Sequence, residues 1–409
     1  MAAAETTSSE TKDLRLTARV MVTALATGHV AFHWIIQSFV VVLPEIQRTF
    51  GINAVGVGGI LTMRELASGL VTLPGGVVVD MLRKWWGWLL AICVGASGLG
   101  SLLMGVSTVY PLLLAGVAVV AVSHSLWHLP ASASLSHHFA DRRGVMLSFH
   151  GVGGSIGDVA GPLVTGALLL VLGWRGILSI YAVAPFFMGF MAVWAFKNIG
   201  DVKEEDTKAA GLAQRLAMTK ALMRSPLLWG LTVVRGLRSM ALVALVTLLP
   251  LYLGNDLDLS PFNRGFHIGM LIAVGLAAKP LAGLMSDKLG RKQVLVPGLV
   301  WSCGFALLMI AFDDGVSLTV TIALLGLFLY PDQPILTAAL FDVVGREVAT
   351  TGLGVVAFAS FLMAATSPLI AGAIYETAGF QAGLYYIAGL FALAAVLFAL
   401  LPLSRRIDI

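Results

Sequence analysis

The feature that most constrains this sequence is a series of twelve apolar stretches, each long enough to cross a lipid bilayer as a helix. A hydrocarbon core of about 30 Å requires about 20 helical residues, and a helix satisfies its own backbone hydrogen bonds in lipid. An all-α integral membrane protein with twelve transmembrane helices is therefore predicted. We number the stretches as segments one to twelve in chain order, and they are predicted at residues 18–43, 55–79, 85–107, 109–133, 145–171, 175–196, 226–253, 263–285, 293–312, 316–340, 349–375 and 380–402.

The composition excludes an ordinary soluble protein. Of the 409 residues, 58% are hydrophobic and 12% are charged, whereas soluble domains carry about 25% charged residues. Cys93 and Cys303 each lie in an apolar stretch, which gives no sign of a disulfide framework or a thiolate metal site. The sequence lacks the phosphate-binding loop G-x-x-x-x-G-K-[ST] and any recognisable nucleophile with its base. We therefore predict no enzyme, no cofactor and no nucleic-acid partner, and we expect any energy source to be an ion gradient rather than ATP.

Polar stretches divide the twelve segments into two sets of six. The sequence predicts a disordered cytoplasmic tail at residues 1–17, a first six-helix bundle at 18–196, a central cytoplasmic loop at 197–225, a second bundle at 226–403 and a short tail at 404–409. Within the central loop, four apolar residues recur at roughly helical spacing, which predicts an amphipathic helix on the membrane surface. These are Leu212, Leu216, Met218 and Leu222.

The distribution of positive charges predicts the orientation in the membrane. If both termini are cytoplasmic, nineteen Lys and Arg residues outside the membrane lie on the cytoplasmic side. Only Arg48, Arg175 and Arg264 lie on the other side. Because cytoplasmic loops carry an excess of Lys and Arg, this split favours cytoplasmic termini.

Two landmarks recur in both halves of the chain. Asp80, in G-V-V-V-D-M-L-R-K, and Asp287, in G-L-M-S-D-K-L-G-R-K, are 207 residues apart, and Pro162 and Pro368 are 206 apart. The second-half loop resembles the signature loop of the major facilitator superfamily, while the first-half copy departs from it at Met81 and Arg83. The resemblance implies two pseudo-symmetric six-helix bundles that rock about a central site. It also implies a cytoplasmic gate formed by Gly76, Asp80, Arg83, Gly283, Asp287, Gly290 and Arg291.

Segment five carries a row of glycines spaced by four residues. Gly153, Gly157 and Gly161 predict a bare helix face that allows close helix packing in lipid, and a proline follows that favours a bend. The pattern Gly157, Gly161, Pro162 and Gly166 resembles the antiporter motif of exporters in the same superfamily, although Ser148 stands where a further glycine is usual. The resemblance implies exchange of a substrate for protons.

Other stretches of the first half are similar to the fosmidomycin-resistance type of exporter. They are G-H-V-A-F-H-W-I-I-Q-S from Gly28, R-E-L-A-S-G-L from Arg64 and S-L-W-H-L-P-A-S from Ser125. That type carries an acidic residue after the histidine-proline of segment four, where this chain has Ala131. The resemblance therefore does not transfer the same drug or the same proton carrier.

Ionisable residues within the segments are candidates for the functional site. Each costs several kcal/mol in lipid unless it is paired or faces a wet cavity, and the resemblance implies that segments one, four, seven and ten line such a cavity. We predict Asp158 first and Glu65 second as proton-coupling groups. The predicted substrate-binding residues are His29, His33, Gln37, Arg64, His124, His128, Arg235, Arg238, Asp332 and Gln333.

These residues also have structural interpretations. Arg64 and Glu65 point about 100° apart on a helix, so we expect that they cannot both face one ligand. Ion pairs with other helices are the alternative to a role in substrate binding. The two histidine pairs, His29 with His33 and His124 with His128, have a spacing that suits a metal, a proton relay or hydrogen bonds between helices. No thiolate accompanies them, and no metal site is assigned. The sequence leaves Arg235 and Arg238 open between binding an anion and pairing with Asp158 or Asp332. Lys279 is expected to be a structural partner of a neighbouring helix.

The balance of buried charges favours an anionic solute. Deep within segments two, five, seven, eight and ten lie four cations, Arg64, Arg235, Arg238 and Lys279, and three acids, Glu65, Asp158 and Asp332. We therefore expect a secondary transporter in the plasma membrane, specifically a bacterial inner membrane, that acts as a monomer and exports a small, anionic organic molecule in exchange for protons. A proton-coupled importer of an organic anion and a non-transporting sensor on the same fold are the alternatives.

Overall fold

The computed structural model of the protein describes residues 17–200, 220, 223–344 and 349–403, without the side chains at 73, 76–78, 80, 344 and 349–353. The predicted tails, except Thr17, and most of the amphipathic helix of the central loop lie outside these residues, and so do the side-chain positions of Gly76 and Asp80. Within the described residues every regular element is a helix or a helical turn.

The first half contains segments one to six. Segment one continues at its far end into a short helix that ends at Gly51, whose φ of 61° is a left-handed conformation that suits glycine. Segment six is interrupted at Ala182. The helices are Ala18–Val41 and Leu43–Phe50, Ala54–Met81, Trp86–Gly105, Tyr110–His138, Arg143–Leu168, and Trp174–Tyr181 with Val183–Ala195.

The second half contains segments seven to twelve. Segment seven is extended by a π-helical turn at Tyr252–Asp256. Segments eleven and twelve form one continuous element that changes direction at Gly379, where φ is 78°. The helices are Pro226–Leu251, Pro261–Leu289, Arg291–Ala311, Gly315–Leu329 with Asp332–Val344, and Ala349–Leu400.

Ten of the described helices are long and apolar enough to cross a membrane. The difference from twelve has two causes. Segments eleven and twelve count as one span because no loop separates them, and segment five is absent from the ten because its glycines, histidine and aspartate lower its hydropathy. Counting these two gives the twelve crossings that the sequence predicts.

The two halves meet through glycines at two equivalent places. A methyl group added to Gly166 of segment five would lie 2.6 Å from the carbonyl oxygen of Pro261 in segment eight. A methyl group added to Gly372 of segment eleven would lie 2.5 Å from that of Ala54 in segment two. The two glycines are 206 residues apart in the sequence, and the two residues whose carbonyl oxygens they approach, Ala54 and Pro261, are 207 residues apart. The predicted repeat therefore recurs in the packing between the halves.

One end of the bundle is closed. We call it the distal end, the one at which Val41 ends segment one. Four side-chain hydrogen bonds join the halves among the described residues, and all lie in the distal half of the molecule. They run from Arg264 to Glu45 at 2.6 Å, from Asn255 to Gln47 at 2.8 Å, from the Ala54 N–H to Glu376 at 2.5 Å and from Thr62 to the Ala365 carbonyl at 2.6 Å.

Candidate functional site

A cavity of about 440 Å³ lies between the two halves. Its walls come from segments one, two, four, seven, ten and eleven. The geometry thus brings together most of the residues that the sequence predicts for substrate binding. Those that line the cavity are Gln37, Arg64, His124, His128, Arg235, Arg238 and Gln333, and the predicted proton-coupling residue Glu65 lies beside them.

Arg238 is held by an ion pair within the second half. Segment ten breaks at Tyr330 and Pro331, so a new helix begins at Asp332 in the middle of the bundle. The Arg238 Nε donates to Asp332 Oδ2 at 2.6 Å, and its Nη2 donates to the Leu329 carbonyl at 2.5 Å. Both charged side chains are buried. Of the alternatives left open by the sequence, pairing with Asp332 is the one that the structure shows for this arginine.

Arg235 lies one helical turn before Arg238 and differs from it in its contacts. It lines the cavity, and its Nη1 atom is buried without a hydrogen-bond partner among the described residues. A buried guanidinium nitrogen without an acceptor is costly. Arg235 is therefore available to bind an acceptor group that enters the cavity.

Arg64 and Glu65 bond to each other. The Arg64 Nε donates to Glu65 Oε1 at 2.9 Å, and the Arg64 Nη2 lies 2.8 Å from the same oxygen. Both residues line the same cavity. The structure thus shows the two neighbours paired with each other and facing one cavity, rather than each paired with another helix. The long side chains curl toward each other and compensate for the angle between their Cβ directions.

Asp158 of segment five faces segment one. Its Oδ1 accepts a hydrogen bond from His33 Nδ1 at 2.7 Å and another from Gln37 Nε2 at 3.1 Å. Its side chain is 14% exposed. These two bonds connect the predicted proton-coupling carboxylate to the cavity wall, because Gln37 also lines the cavity.

The two histidine pairs meet in one cluster. The His33 and His124 Nε2 atoms are 3.3 Å apart, and those of His124 and His128 are 2.9 Å apart. His29 completes the cluster, since one ring nitrogen from each of the four lies within 4.8 Å of the others. The sequence spacing predicts two separate histidine pairs. They form one cluster because segments one and four face each other in the structure.

Glycines make this close approach possible. A methyl group on Gly28 would lie 2.5 Å from the Trp127 ring in segment four, and one on Gly154 would lie 2.7 Å from the His29 ring. The predicted bare face of segment five packs on the backbone of segment one. Methyl groups on Gly157 and Gly161 would lie 2.5 Å from the Val30 carbonyl oxygen and 3.0 Å from that of Trp34.

The predicted gate loop of the second half bonds within its own half. Arg291 donates to Asp287 and, at 2.9 Å, to Asp342, which joins the ends of segments eight and ten. Gly290 has a φ of 104° and so permits the turn between segments eight and nine. Gly283 has open space around it. In the first half, the Arg83 guanidinium lies 5.8 Å from the Trp86 ring centre.

The sequence reasoning missed the distal closure. The sequence analysis did not consider Glu45 and counted Arg264 only among the positive charges on the outer side, yet Arg264 is 1% exposed and pairs across the halves. Glu376, which caps Ala54, was not considered either. A carboxylate near the far end of segment one and an arginine near the start of segment eight were the available signal. Nothing in the sequence alone pairs them.

The chain is similar to bacterial proteins over most of its length. It is 21% identical over 390 residues to a probable hexose phosphate transport protein of Chlamydia trachomatis. This match covers 87% of this chain and 84% of that protein. It is 22% identical over 289 residues to the fosmidomycin resistance protein of Escherichia coli, which covers 70% of each. Its fold matches the crystal structure of a bacterial homologue of the human lysosomal transporter Spinster in an inward-facing, unoccupied conformation, with a TM-score of 0.76, 14% identity and 95% coverage of both chains.

This likeness of fold confirms the predicted twelve-helix architecture. The sequence pattern of the Major Facilitator Superfamily matches residues 25–279 and 269–407. These two matches span most of the chain, and the chain therefore belongs to the Major Facilitator Superfamily of membrane transporters.

Proposed function

We propose that this protein is a proton-coupled exporter that carries a small anionic organic solute by alternating access. The observation that supports an anion is Arg235, whose buried Nη1 has no partner among the described residues. Arg64 and Arg238, the other arginines of the cavity, each pair with a carboxylate. One positive charge is left in the wall, and an anionic solute would supply its partner.

The glycine face of segment five supports export by exchange. Its glycines pack closely on segment one, and such packing would block a leak of ions between these helices, which an exchanger requires. Asp158 is the first candidate for the proton-coupling group, because it lies at mid-depth and bonds to two cavity-side residues. Glu65 is the second. The protein would act as a monomer in the plasma membrane of a bacterium.

With both termini in the cytoplasm, the closed distal end is extracellular. The positive charges of the loops support this orientation. The gate loops of the first and second halves then lie at the cytoplasmic end, where Arg291 bonds within its own half. The conformation described here would therefore exchange its cargo with the cytoplasm.

Import of an organic anion is a second candidate. It is favoured by the likeness to a protein named as a hexose phosphate transport protein, since a sugar phosphate is an anion that Arg235 would suit equally well. The two candidates share the cavity and differ in the direction of proton flux.

The anion assignment is tested by binding. Purified protein is screened against organic acids, phosphate esters and phosphonates for thermal stabilisation, and the best compound is titrated by calorimetry. Arg235→Gln should weaken its binding by about 1.5–3 kcal/mol, the contribution of a hydrogen bond to a charged group. Lys84→Gln, at an exposed position outside the cavity, is the matched control. An unchanged affinity in a folded Arg235→Gln protein would contradict the assignment.

The direction and the coupling are tested in liposomes. Wild-type protein is reconstituted with an imposed pH gradient and an internal pH dye, and the compound from the screen is added. Proton flux opposite to solute flux supports export, and flux in the same direction supports the importer. Solute movement without proton flux would reject proton coupling.

A further inference from the structure

We propose that His29, His33, His124 and His128 form a binding site for a divalent transition-metal ion of the Zn²⁺ class. The four side chains lie on segments one and four, beside the cavity. One ring nitrogen from each lies within 4.8 Å of the others. This inference does not depend on the identity of the transported solute.

Hydrogen bonds on the far side of two rings fix which nitrogen faces the cluster. The His29 Nδ1 lies 2.9 Å from the His150 carbonyl oxygen, and the His33 Nδ1 lies 2.7 Å from Asp158 Oδ1. Since these oxygens accept, each Nδ1 carries a proton and donates it. In the neutral ring the Nε2 atom then holds a lone pair, which is the form that binds a metal.

The inner nitrogens are not satisfied by one another. The His29 Nε2 is buried without a hydrogen-bond partner among the described residues. The His124 Nε2 lies between the Nε2 atoms of His33 and His128. If the His124 Nε2 carries a proton, it can donate to only one of its two neighbours. If the His128 Nε2 carries the proton and donates to His124, the lone pairs of His33 and His124 face each other. A cation at the centre would satisfy all these lone pairs at once.

The spacing of the nitrogens fits a tetrahedral ion. Zinc binds imidazole nitrogen at about 2.0–2.1 Å, so the nitrogens of a tetrahedral site are about 3.3 Å apart. Two of the six separations, from His33 to His124 at 3.3 Å and from His124 to His128 at 2.9 Å, are close to this value, and all four nitrogens lie within 4.8 Å of one another. Four imidazoles suit Zn²⁺, Co²⁺, Ni²⁺ or Cu²⁺, whereas Mg²⁺ and Ca²⁺ require oxygen ligands.

The surroundings provide the support that metal-binding histidines require. Ligating histidines donate their other ring N–H to a carboxylate or a carbonyl group, as His33 does to Asp158 and His29 to His150. The carboxylate of Asp158 also offsets part of the charge of a bound cation. Gly154 leaves the space that the His29 ring occupies, and the His124 and His128 side chains reach the cavity, which provides an entry path.

The test is metal binding by the purified full-length protein, stripped with a chelator and with any affinity tag removed. Competition with a chromogenic chelator should show one Zn²⁺ bound per chain and no competition by Mg²⁺. Co²⁺ should give the intense visible absorption of a tetrahedral site. His33→Ala and His124→Ala should abolish the bound Zn²⁺, and Asp158→Asn should lower the affinity about 10–100-fold, as loss of a supporting partner does.

The matched control is His267→Ala, because His267 bonds to Asn263 and Thr319, away from the cluster. It should bind Zn²⁺ like the wild type. A wild-type protein that binds no more Zn²⁺ than the His124→Ala variant would overturn the proposal. The Co²⁺ spectrum needs no variant, and the weak absorption of an octahedral ion would overturn it as well. The liposome assays of proton coupling are run in a chelator, so that failure of either proposal leaves the other intact.

Discussion

Replacing Gly157 by alanine tests how tightly segment five packs on segment one. The added methyl group would lie 2.5 Å from the Val30 carbonyl oxygen, 2.8 Å from the Trp34 nitrogen and 2.9 Å from His33 Cβ. Ordinary contact begins at 3.4 Å, so the nearest contact falls short by about 0.9 Å. The first two partners are backbone atoms, which cannot move aside by rotation of a side chain. We therefore expect Gly157→Ala to destabilise the protein by about 1–3 kcal/mol, the usual cost of overpacking.

Gly151 provides a matched control on the same helix. A methyl group there would meet no heavy atom within 4 Å, so Gly151→Ala should cause no loss of stability. The free energy of unfolding of both variants is measured by titration with sodium dodecyl sulfate in mixed micelles. Because His33 Cβ is among the atoms displaced, Gly157→Ala should also reduce pH-driven transport, whereas Gly151→Ala should not. Equal stabilities of the two variants would refute the packing argument.

Two further predictions concern coupling and orientation. Asp158→Asn should retain solute binding and lose proton-driven transport in liposomes, whereas retention of both functions would move the coupling role to Glu65, tested by Glu65→Gln. In a background in which Cys93 and Cys303 are replaced by alanine, a cysteine at the exposed distal position Thr108 should react with an impermeant thiol reagent in intact cells. A cysteine at the exposed position Asp141, at the opposite end, should react only after the membrane is opened, and the reverse pattern would contradict cytoplasmic termini.

The sequence predicts the helices well because hydropathy determines which stretches cross lipid. It also identifies buried ionisable residues, since each is costly in lipid and stands out in an apolar stretch. Partners on different helices are not predictable in this way. The distance from His33 to His124, and the choice of Asp332 as the partner of Arg238, depend on how helices rotate and pack. The break at Pro331 determines the pairing of Arg238 with Asp332, because it places the start of a new helix, and so Asp332, in the middle of the bundle.

The residues of the cavity differ between the two halves. The wall from the first half carries imidazoles backed by Asp158, together with the Arg64–Glu65 pair, whereas the wall from the second half carries Arg235 beside the Arg238–Asp332 pair. Segments one and five are locked by their glycine contacts, so Asp158 and His33 move with the first half as one unit. Arg235 moves with the second half. A solute held by Arg235, as proposed above, would therefore change its distance from the imidazole cluster when the halves rock.

The distal closure has the properties of a contact that must break once in each cycle. Arg264 is 1% exposed and bonds to Glu45, so both charges lose hydration when this end closes. Yet Glu45 Oε2 and Arg264 Nε are buried without partners among the described residues. A buried ion pair with unsatisfied atoms regains little of its desolvation cost. Opening would return these atoms to water and offset the loss of the Arg264–Glu45 bond. We therefore expect this ion pair to add little net free energy to the closed state, so that the pair by itself does not prevent the distal end from opening.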